Sequence, residues 1–321
     1  MKLLIAAAMA ATVIAGGFLA SAVASEPVRK TDTLGDHFMK LTRGSQWTPA
    51  GEIKVQFDTF HPQGMVKIGD DFFVSSVNII QKPAKYDAPR DGYDRDTGRG
   101  EGHLFKIGPD GKLLGDLKLG DGTMYHPGGI DFDGKHIWVP AAEYRPNSRS
   151  VIYRVDPQTM TSEKMFTFAD HIGGLVHDTE TSTLHGVSWG SRRFYAWPLG
   201  DDGQPKNAEA EPAKLRVLNP AQYIDYQDCH SAGASRMLCS GLNTYRTSPD
   251  AKPFSLGGME LVDFSDNRPV WQLPVEKWAP SGLPMTQNPF FVEPHGEGLR
   301  AWFMPDDDTS TIFVFDIAAA K

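Results

Sequence analysis

The sequence predicts an all-β protein, a β-propeller of five four-stranded blades closed by an N-terminal strand. Three observations predict this fold class. Short runs rich in aromatic and β-branched residues recur, and clusters of Gly, Pro, Asp and Asn separate them. Long amphipathic stretches with the helical period of about 3.6 residues are missing after the N-terminal region. The strand-like runs also group into repeats of four, the pattern of propeller blades.

The chain begins with a predicted export signal. Lys2 precedes an apolar run over residues 3–19, and Ala22-Val23-Ala24 has the small-x-small pattern that signal peptidases recognise. We expect a mature protein that starts at Ser25, is periplasmic or secreted, and has no membrane span. An uncleaved anchor is the alternative, although the run is short for one. The predicted organisation is a signal peptide over residues 1–24, an N-terminal extension over 25–50 and a single propeller domain over 51–318.

The repeats can be followed in order along the chain. The predicted strands are 63–68, 72–78, 103–107 and 113–119; then 126–132, 137–139, 151–155 and 164–168; then 171–175, 184–189, 194–197 and 214–218; then 223–226, 237–240, 259–263 and 269–273; and finally 290–292, 299–303 and 311–315. Only the last repeat lacks a strand, and we expect residues 52–57 to supply it and so close the ring. Six blades or an open sandwich are the alternatives.

Two cysteines flank a small-residue turn centred near Ala234. Cys229 and Cys239 are equidistant from that turn, so on antiparallel strands they face each other and predict a cross-strand disulfide. A metal pair or a redox pair are the alternatives, but the spacing matches neither pattern.

A histidine motif begins three of the repeats. It reads His61-Pro62-Gln63-Gly64, His126-Pro127-Gly128-Gly129 and His171-Ile172-Gly173-Gly174. The motif resembles repeats of secreted propellers of the NHL, strictosidine-synthase and gluconolactonase (SMP-30-like) type, and the mature chain most resembles a family of exported bacterial propellers of unassigned function. The resemblance implies the propeller fold. The lactonases have six blades and an axial divalent metal, and the different blade number prevents their ligands from being carried over.

Propeller geometry converts the repeats into a candidate site. The start of the first strand and the end of the second strand of a blade lie on one face, close to the axis. We therefore expect one axial funnel to collect three imidazoles, two carboxamides and two carboxylates: His61, His126, His171, Asn78, Asn243, Glu143 and Asp307.

These side chains are suited to a divalent metal ion. Imidazole and carboxylate ligands favour Zn²⁺, Fe²⁺ or Mn²⁺, whereas oxygen ligands alone would favour Ca²⁺. The metal would polarise a carbonyl and activate water, with His126, His171 and Glu143 as the catalytic groups. The alternative is structural, because a histidine before Pro-Gly or Gly-Gly can bond the backbone of the neighbouring blade.

Further residues are predicted to surround the ligand. The long insertion over residues 80–101 should hang above the funnel, where loops often bind ligands. Arg145 and Tyr245 lie in loops on the same face. Gln222 takes the place of the first-strand histidine in the fourth repeat, and Asn288 or its neighbour Gln287 does so in the fifth. This rim suits a small anionic or sugar-like molecule.

Three functional hypotheses follow. The first is a periplasmic, metal-assisted, lactonase-like hydrolase acting on a small polar molecule. The second is a non-enzymatic propeller that binds a ligand or a protein. The third is a glycosidase that uses paired carboxylates such as Glu143 and Asp307. Nucleic acid is not an expected partner, because the net charge is −8 and binding it requires a basic surface.

Overall fold

A computed structural model describes residues 32–319. The predicted signal peptide and its cleavage site lie outside the described residues. Helix α1 (Leu34–Met39) and strand β1 (Trp47–Lys54) come first. None of the helices in the described part is long and apolar enough to cross a membrane.

Residues 32–319 form five four-stranded antiparallel blades, as predicted. Blade 1 contains β2 (His61–Ile68), β3 (Asp71–Gln81), the inserted hairpin β4 (Lys85–Arg90) and β5 (Tyr93–Arg95), then β6 (Arg99–Ile107) and β7 (Leu113–Leu119). Blade 2 contains β8 (His126–Pro127), β9 (Asp131–Phe132), β10 (Ile137–Ala142), β11 (Ser150–Asp156) and β12 (Thr161–Phe168); its innermost strand is split into β8 and β9.

The remaining blades follow in chain order. Blade 3 contains β13 (Ile172–Asp178), β14 (Thr183–Ser188), a 3₁₀ turn (Trp189–Ser191), β15 (Arg193–Pro198), helix α2 (Pro212–Leu215) and β16 (Val217–Leu218). Blade 4 contains β17 (Asp225–Ser231), β18 (Arg236–Tyr245), β19 (Phe254–Asp263) and β20 (Arg268–Val275). A second 3₁₀ turn (Met285–Gln287) leads to blade 5, which contains β21 (Phe290–His295), β22 (Gly298–Phe303) and β23 (Thr311–Ile317).

An N-terminal strand closes the ring, as predicted. Strand β1 pairs antiparallel with β23, from Trp47 opposite Ile317 to Lys54 opposite Thr311. It begins five residues before the predicted run over 52–57, because Trp47 packs against Phe303 and Phe315 with ring centroids 6.1 and 6.0 Å apart. The first and last strands therefore hide each other's edges.

The hydrophobic core lies between the blades. The described residues contain five buried apolar clusters, one at each interface between neighbouring blades. Trp138 and Ile152 of blade 2, for example, pack with Trp197 of blade 3. The second strand β3 is consequently buried from Phe72 to Val77, whereas the outermost strand β7 is exposed or half-buried except at Leu119.

The glycines of the histidine motif allow the innermost strands to meet. A Cβ atom on Gly128 would lie 2.3 Å from the Gly173 carbonyl oxygen, and one on Gly64 would lie 2.5 Å from the Ile130 nitrogen. The backbone of Gly129 accordingly donates to Gly173 over 2.8 Å. The glycines of the motif are thus required because the backbones of neighbouring innermost strands approach closely at the axis.

The predicted disulfide is present. Cys229 on β17 and Cys239 on β18 are directly opposite each other, are covalently bonded, and have Cα atoms 4.0 Å apart.

Candidate functional site

Three imidazoles form a row at the axial end of blades 1 to 3. The ring centroid of His126 lies 6.2 Å from that of His61 and 6.3 Å from that of His171. Each histidine stands at or immediately before the first strand of its blade, so the repeat of the motif places the rings side by side.

His61 is held by a carboxylate. Its Nδ1 lies 2.9 Å from Oδ1 of Asp307, and the buried amide of Asn288 donates to that same oxygen over 2.9 Å. Burial raises the pKa of Asp307, but the His61 hydrogen bond and charge outweigh it and hold the pKa below its ordinary value.

His171 is held by a carbonyl. Its Nδ1 lies 2.8 Å from the backbone oxygen of Glu143, and Trp189 meets its ring edge-on at a centroid distance of 4.8 Å. Burial lowers the pKa of His171 to about 4, so the imidazole is neutral at pH 7.

His126, in the middle of the row, has no hydrogen-bond partner in the described part of the chain for either ring nitrogen. The residue is only 5% exposed, and its ring stacks on Tyr144 at a centroid distance of 4.2 Å. Burial, with the two neighbouring imidazoles, lowers its pKa well below the usual value. A neutral imidazole offers one donor and one acceptor, and both are unused here.

Two chambers meet at His61 and Tyr144. The histidine chamber has a volume of about 260 Å³ and is lined by His61, Gln63, His126, Tyr144, His171 and Trp189 among others. The side chamber has a volume of about 300 Å³ and is lined by Phe60, His61, Asn78, Lys82, Tyr144 and Asp307 among others.

The insertion packs onto the rim of the site. The Arg145 guanidinium lies 3.5 Å from the centroid of the Tyr93 ring, and the Arg95 guanidinium lies 5.5 Å from that of Trp189. The Tyr125 hydroxyl donates to the Thr97 carbonyl over 2.6 Å. The residues over 80–101 therefore adjoin the funnel, as expected from the connection between the second and third strands.

Glu143 does not contribute its carboxylate to either chamber. The carboxylate accepts hydrogen bonds from the Thr123 hydroxyl and the guanidinium groups of Arg145 and Arg149. Burial raises the pKa of Glu143, but these hydrogen bonds keep it below the ordinary value. Arg145 is engaged in the same contact, which leaves the predicted catalytic role of Glu143 and ligand-binding role of Arg145 without geometric support.

Four more predicted residues, Asn243, Gln222, Tyr245 and Asn288, lie outside the linings of both chambers. The Asn243 side-chain oxygen accepts from the Thr244 backbone, and Gln222 accepts from Arg192 over 2.6 Å. Tyr245 is 39% exposed and stacks on Phe254 at 5.8 Å.

The predicted metal ion remains a prediction. Within residues 32–319, no three His, Cys, Asp or Glu side chains lie close enough together to hold one. Two imidazoles that bind one zinc ion through bonds of 2.0–2.1 Å would have ring centroids roughly 5 Å apart. The observed centroid distances are 6.2 and 6.3 Å, so neighbouring histidine rings would have to approach each other by about 1 Å. The donor set is chemically suitable, since His61 and His171 are each anchored through Nδ1.

Trp189 is a site residue that sequence reasoning missed, whereas Tyr144 belongs to the same loop as Arg145, which was expected on this face. Trp189 directly follows the end of β14 and lies in the 3₁₀ turn Trp189–Ser191. Its place at the end of a second strand, where the funnel residues were expected, is the signal that could have identified it.

Comparisons with solved structures find only distant similarity. A DUF4221-family protein from Bacteroides vulgatus is 9% identical with a TM-score of 0.35, and the alignment covers 87% of this chain and 100% of that one. A DUF4623-family protein from Bacteroides eggerthii is 10% identical with a TM-score of 0.43, covering 87% and 77%. Hydrazine synthase from Kuenenia stuttgartiensis is 10% identical with a TM-score of 0.36, covering 84% and 68%. Such values carry no inference about activity.

Sequence comparison is more informative about family. No curated protein matches the chain, and the resemblance to NHL and gluconolactonase propellers stays a prediction. A model described as a family of unknown function, DUF6454, matches residues 22–321, which is nearly the whole sequence. The chain therefore belongs to the DUF6454 family.

Proposed function

We propose that this protein binds a small polar molecule in the histidine chamber. The observation that supports the proposal best is His126, a buried imidazole whose two nitrogens have no partner in the described chain. An unpaired buried polar group costs about 1–3 kcal/mol. A ligand that accepts from one nitrogen and donates to the other would remove that cost, and so would bind preferentially there.

The walls of the chamber suit such a ligand. Tyr144 and Trp189 present aromatic faces at a mutual centroid distance of 5.7 Å, while Gln63 and Gln227 add amide groups. Binding sites for small molecules commonly combine apolar and aromatic walls with a few polar groups. The volume of about 260 Å³ is that of a small metabolite.

We also propose that the protein acts in the periplasm or outside the cell. The predicted signal peptide supports export, and the Cys229–Cys239 disulfide is typical of oxidising compartments. Mass measurement of the exported protein tests this, because the expected mature N-terminus is Ser25.

A thermal-shift screen tests binding. Wild-type protein and the His126→Ala variant are screened against sugars, hydroxy acids and amino acids, with His295→Ala as the matched control. His295 lies at the far end of its strand, with a side chain that is 50% exposed. We expect at least one compound to raise the melting temperature of the wild type and of His295→Ala, but not that of His126→Ala. Equal stabilisation of His126→Ala would place the binding site elsewhere.

A metal-assisted hydrolase is the second candidate. The observation that favours it is the anchoring of His61 and His171 through Nδ1, which is how metal-binding imidazoles are usually oriented. The three imidazoles would hold the ion, which would supply Lewis acidity and an activated water. Elemental analysis before and after chelation tests it, and less than one equivalent of any transition metal argues against it. No contact favours the glycosidase, because Glu143 is engaged by two arginines.

A further inference from the structure

We propose that His61 and Asp307 form a general-base dyad that hydrolyses a small carboxylic ester or lactone held across the two chambers. The proposal rests on the proposed function, since the substrate must first occupy the histidine chamber. It differs from the metal-assisted candidate because this chain's own side chains activate the water.

Only His61 among the three imidazoles is oriented by a carboxylate. The 2.9 Å contact between its Nδ1 and Asp307 Oδ1 places the ring proton on Nδ1, so Nε2 is the free acceptor. His171 is anchored on a carbonyl and His126 is not anchored at all. A carboxylate stabilises the imidazolium that forms when a base takes a proton, and a carbonyl does so less well.

The carboxylate is itself held in place. Asn288 is 1% exposed and donates through Nδ2 to both Asp307 Oδ1 and the Pro305 carbonyl, at 2.9 and 3.0 Å. His61, in contrast, is partly exposed and its ring lines both chambers. The Asp307 side chain is 51% exposed and lines the side chamber beside His61. A hydrogen-bonded carboxylate that orients an accessible imidazole is the arrangement that general-base catalysis requires.

The backbone on either side of the dyad is locked in an unusual conformation. Phe60 and Asp308, the neighbours of the two residues, have φ angles of +58° and +55°. Asp308 donates to the Phe60 carbonyl over 2.6 Å, and Thr59 donates to the Asp308 carbonyl over 2.8 Å. Left-handed backbone is costly for such residues and is concentrated at functional sites. These hydrogen bonds keep the two chain segments, and hence the dyad, at a constant separation.

The chemistry can be written with this chain's groups and one water molecule. Nε2 of His61 takes a proton from water as the water oxygen bonds to the carbonyl carbon, and the carbonyl electron pair moves to its oxygen. Lys82 and Asn78, which line the side chamber beside His61, are placed to stabilise that negative charge. Collapse breaks the bond to the leaving oxygen, which takes the proton from the His61 imidazolium. The products are a carboxylic acid and an alcohol, joined in one molecule for a lactone.

The test measures hydrolysis of δ-valerolactone and phenyl acetate by the full-length mature protein. Proton release is the readout. We expect His61→Gln to lower the rate about 10²–10⁴-fold, the usual contribution of a general base. Asp307→Asn should lower it less and should change the pH–rate profile, because Asp307 is a positioning residue. His295→Ala is the matched control and should retain the wild-type rate. A chelator should leave the wild-type rate unchanged.

Two results would overturn the dyad. In the first, the wild type hydrolyses both probes no faster than His61→Gln does, although circular dichroism shows that both proteins are folded. The other is loss of activity on chelation, which would transfer the role to a metal. The thermal-shift screen keeps the proposals apart. If a ligand stabilises the protein only when His126 is present, but hydrolysis does not depend on His61, the dyad alone is refuted. If hydrolysis depends on His61 but no ligand stabilisation depends on His126, the binding proposal is refuted.

Discussion

Two buried imidazoles of this propeller have opposite surroundings. His126 is 5% exposed and has no hydrogen-bond partner in the described chain, whereas His230 is 3% exposed and lies between two carboxylates. His230 Nδ1 is 3.7 Å from Asp131 and its Nε2 is 3.6 Å from Asp228, with Nε2 also donating to the Phe290 carbonyl over 2.8 Å. We call Asp131, Asp228 and His230 the axial cluster.

The axial cluster joins blades across the ring. Asp228 of blade 4 accepts backbone hydrogen bonds from Met65 of blade 1 and Ile130 of blade 2, at 2.9 and 3.1 Å. Asp131 of blade 2 accepts from the backbones of His177 in blade 3 and Ser231 in blade 4. Four blades are therefore connected by two carboxylates.

The comparison separates a histidine that contacts two carboxylates from one that we propose binds a ligand. Burial lowers the pKa of His230, but the Asp228 charge outweighs it and the net pKa is raised. His126 has no such compensation and its pKa falls. A buried imidazole beside two anions holds the fold together, while one without partners is available to a ligand.

Removal of the axial carboxylate should have the largest effect on stability. Asp228→Ala leaves the Met65, Ile130 and Cys229 amides unpaired and removes the carboxyl group 3.6 Å from His230 Nε2. We expect a loss of about 3–5 kcal/mol in the free energy of unfolding. Urea denaturation at pH 6 measures it, and a loss below 1 kcal/mol would show that the cluster is dispensable.

Removal of the disulfide should cost somewhat less. Cys229 follows Asp228 directly, and the bridge closes a loop of ten residues. Loop-closure entropy predicts a loss of about 3 kcal/mol for the Cys229→Ala, Cys239→Ala double variant. Reduction of the wild type should give a similar loss in urea denaturation, and a much larger one would indicate that the bridge also orders the axial cluster.

The two regions should respond to pH in opposite directions. Burial raises the pKa of Asp228 to about 7, so its stabilising contribution is complete below pH 4 and is lost as the pH rises to 7. The raised pKa of His230 acts in the same direction above about pH 6.5. Burial lowers the pKa of His171 to about 4, so its contribution is present above about pH 6.5 and is lost as the pH falls toward 4.

Variants can resolve these opposing contributions. Between pH 5.5 and 8.5 the raised pKa values of Asp228 and His230 lower stability as the pH rises, whereas the lowered pKa values of His126, His171 and His185 increase it. Relative to the wild type, Asp228→Asn should therefore gain stability as the pH rises, and His171→Gln should lose it. Thermal denaturation across the range tests both, and identical profiles for all three proteins would contradict the comparison.

The smallest effect should come from the unpartnered histidine. His126→Ala removes stacking on Tyr144 but also removes two unpaired buried nitrogens, so we expect a change within about 1 kcal/mol. Ligand binding should nevertheless be lost. A destabilisation as large as that of Asp228→Ala would make His126 a structural residue.

Much of the fold and part of the site were predictable from sequence. Alternating strand runs with Gly and Asp turns predicted the blades, the closing strand and the disulfide, because these depend on local pattern and on pairing between neighbouring strands. The repeated histidine motif likewise predicted that His61, His126 and His171 would lie together.

Tertiary structure alone decided what each of these side chains contacts. Glu143 was aligned with the site, yet two arginines from its own loop hold its carboxylate away from both chambers. His230 was not among the predicted site residues, yet β17 places it between Asp131 and Asp228. Strand pattern predicted the row of three histidines, but it does not specify the contacts of each side chain. The Glu143 carboxylate is engaged by arginines of its own loop, and one partner of His230, Asp131, comes from another blade.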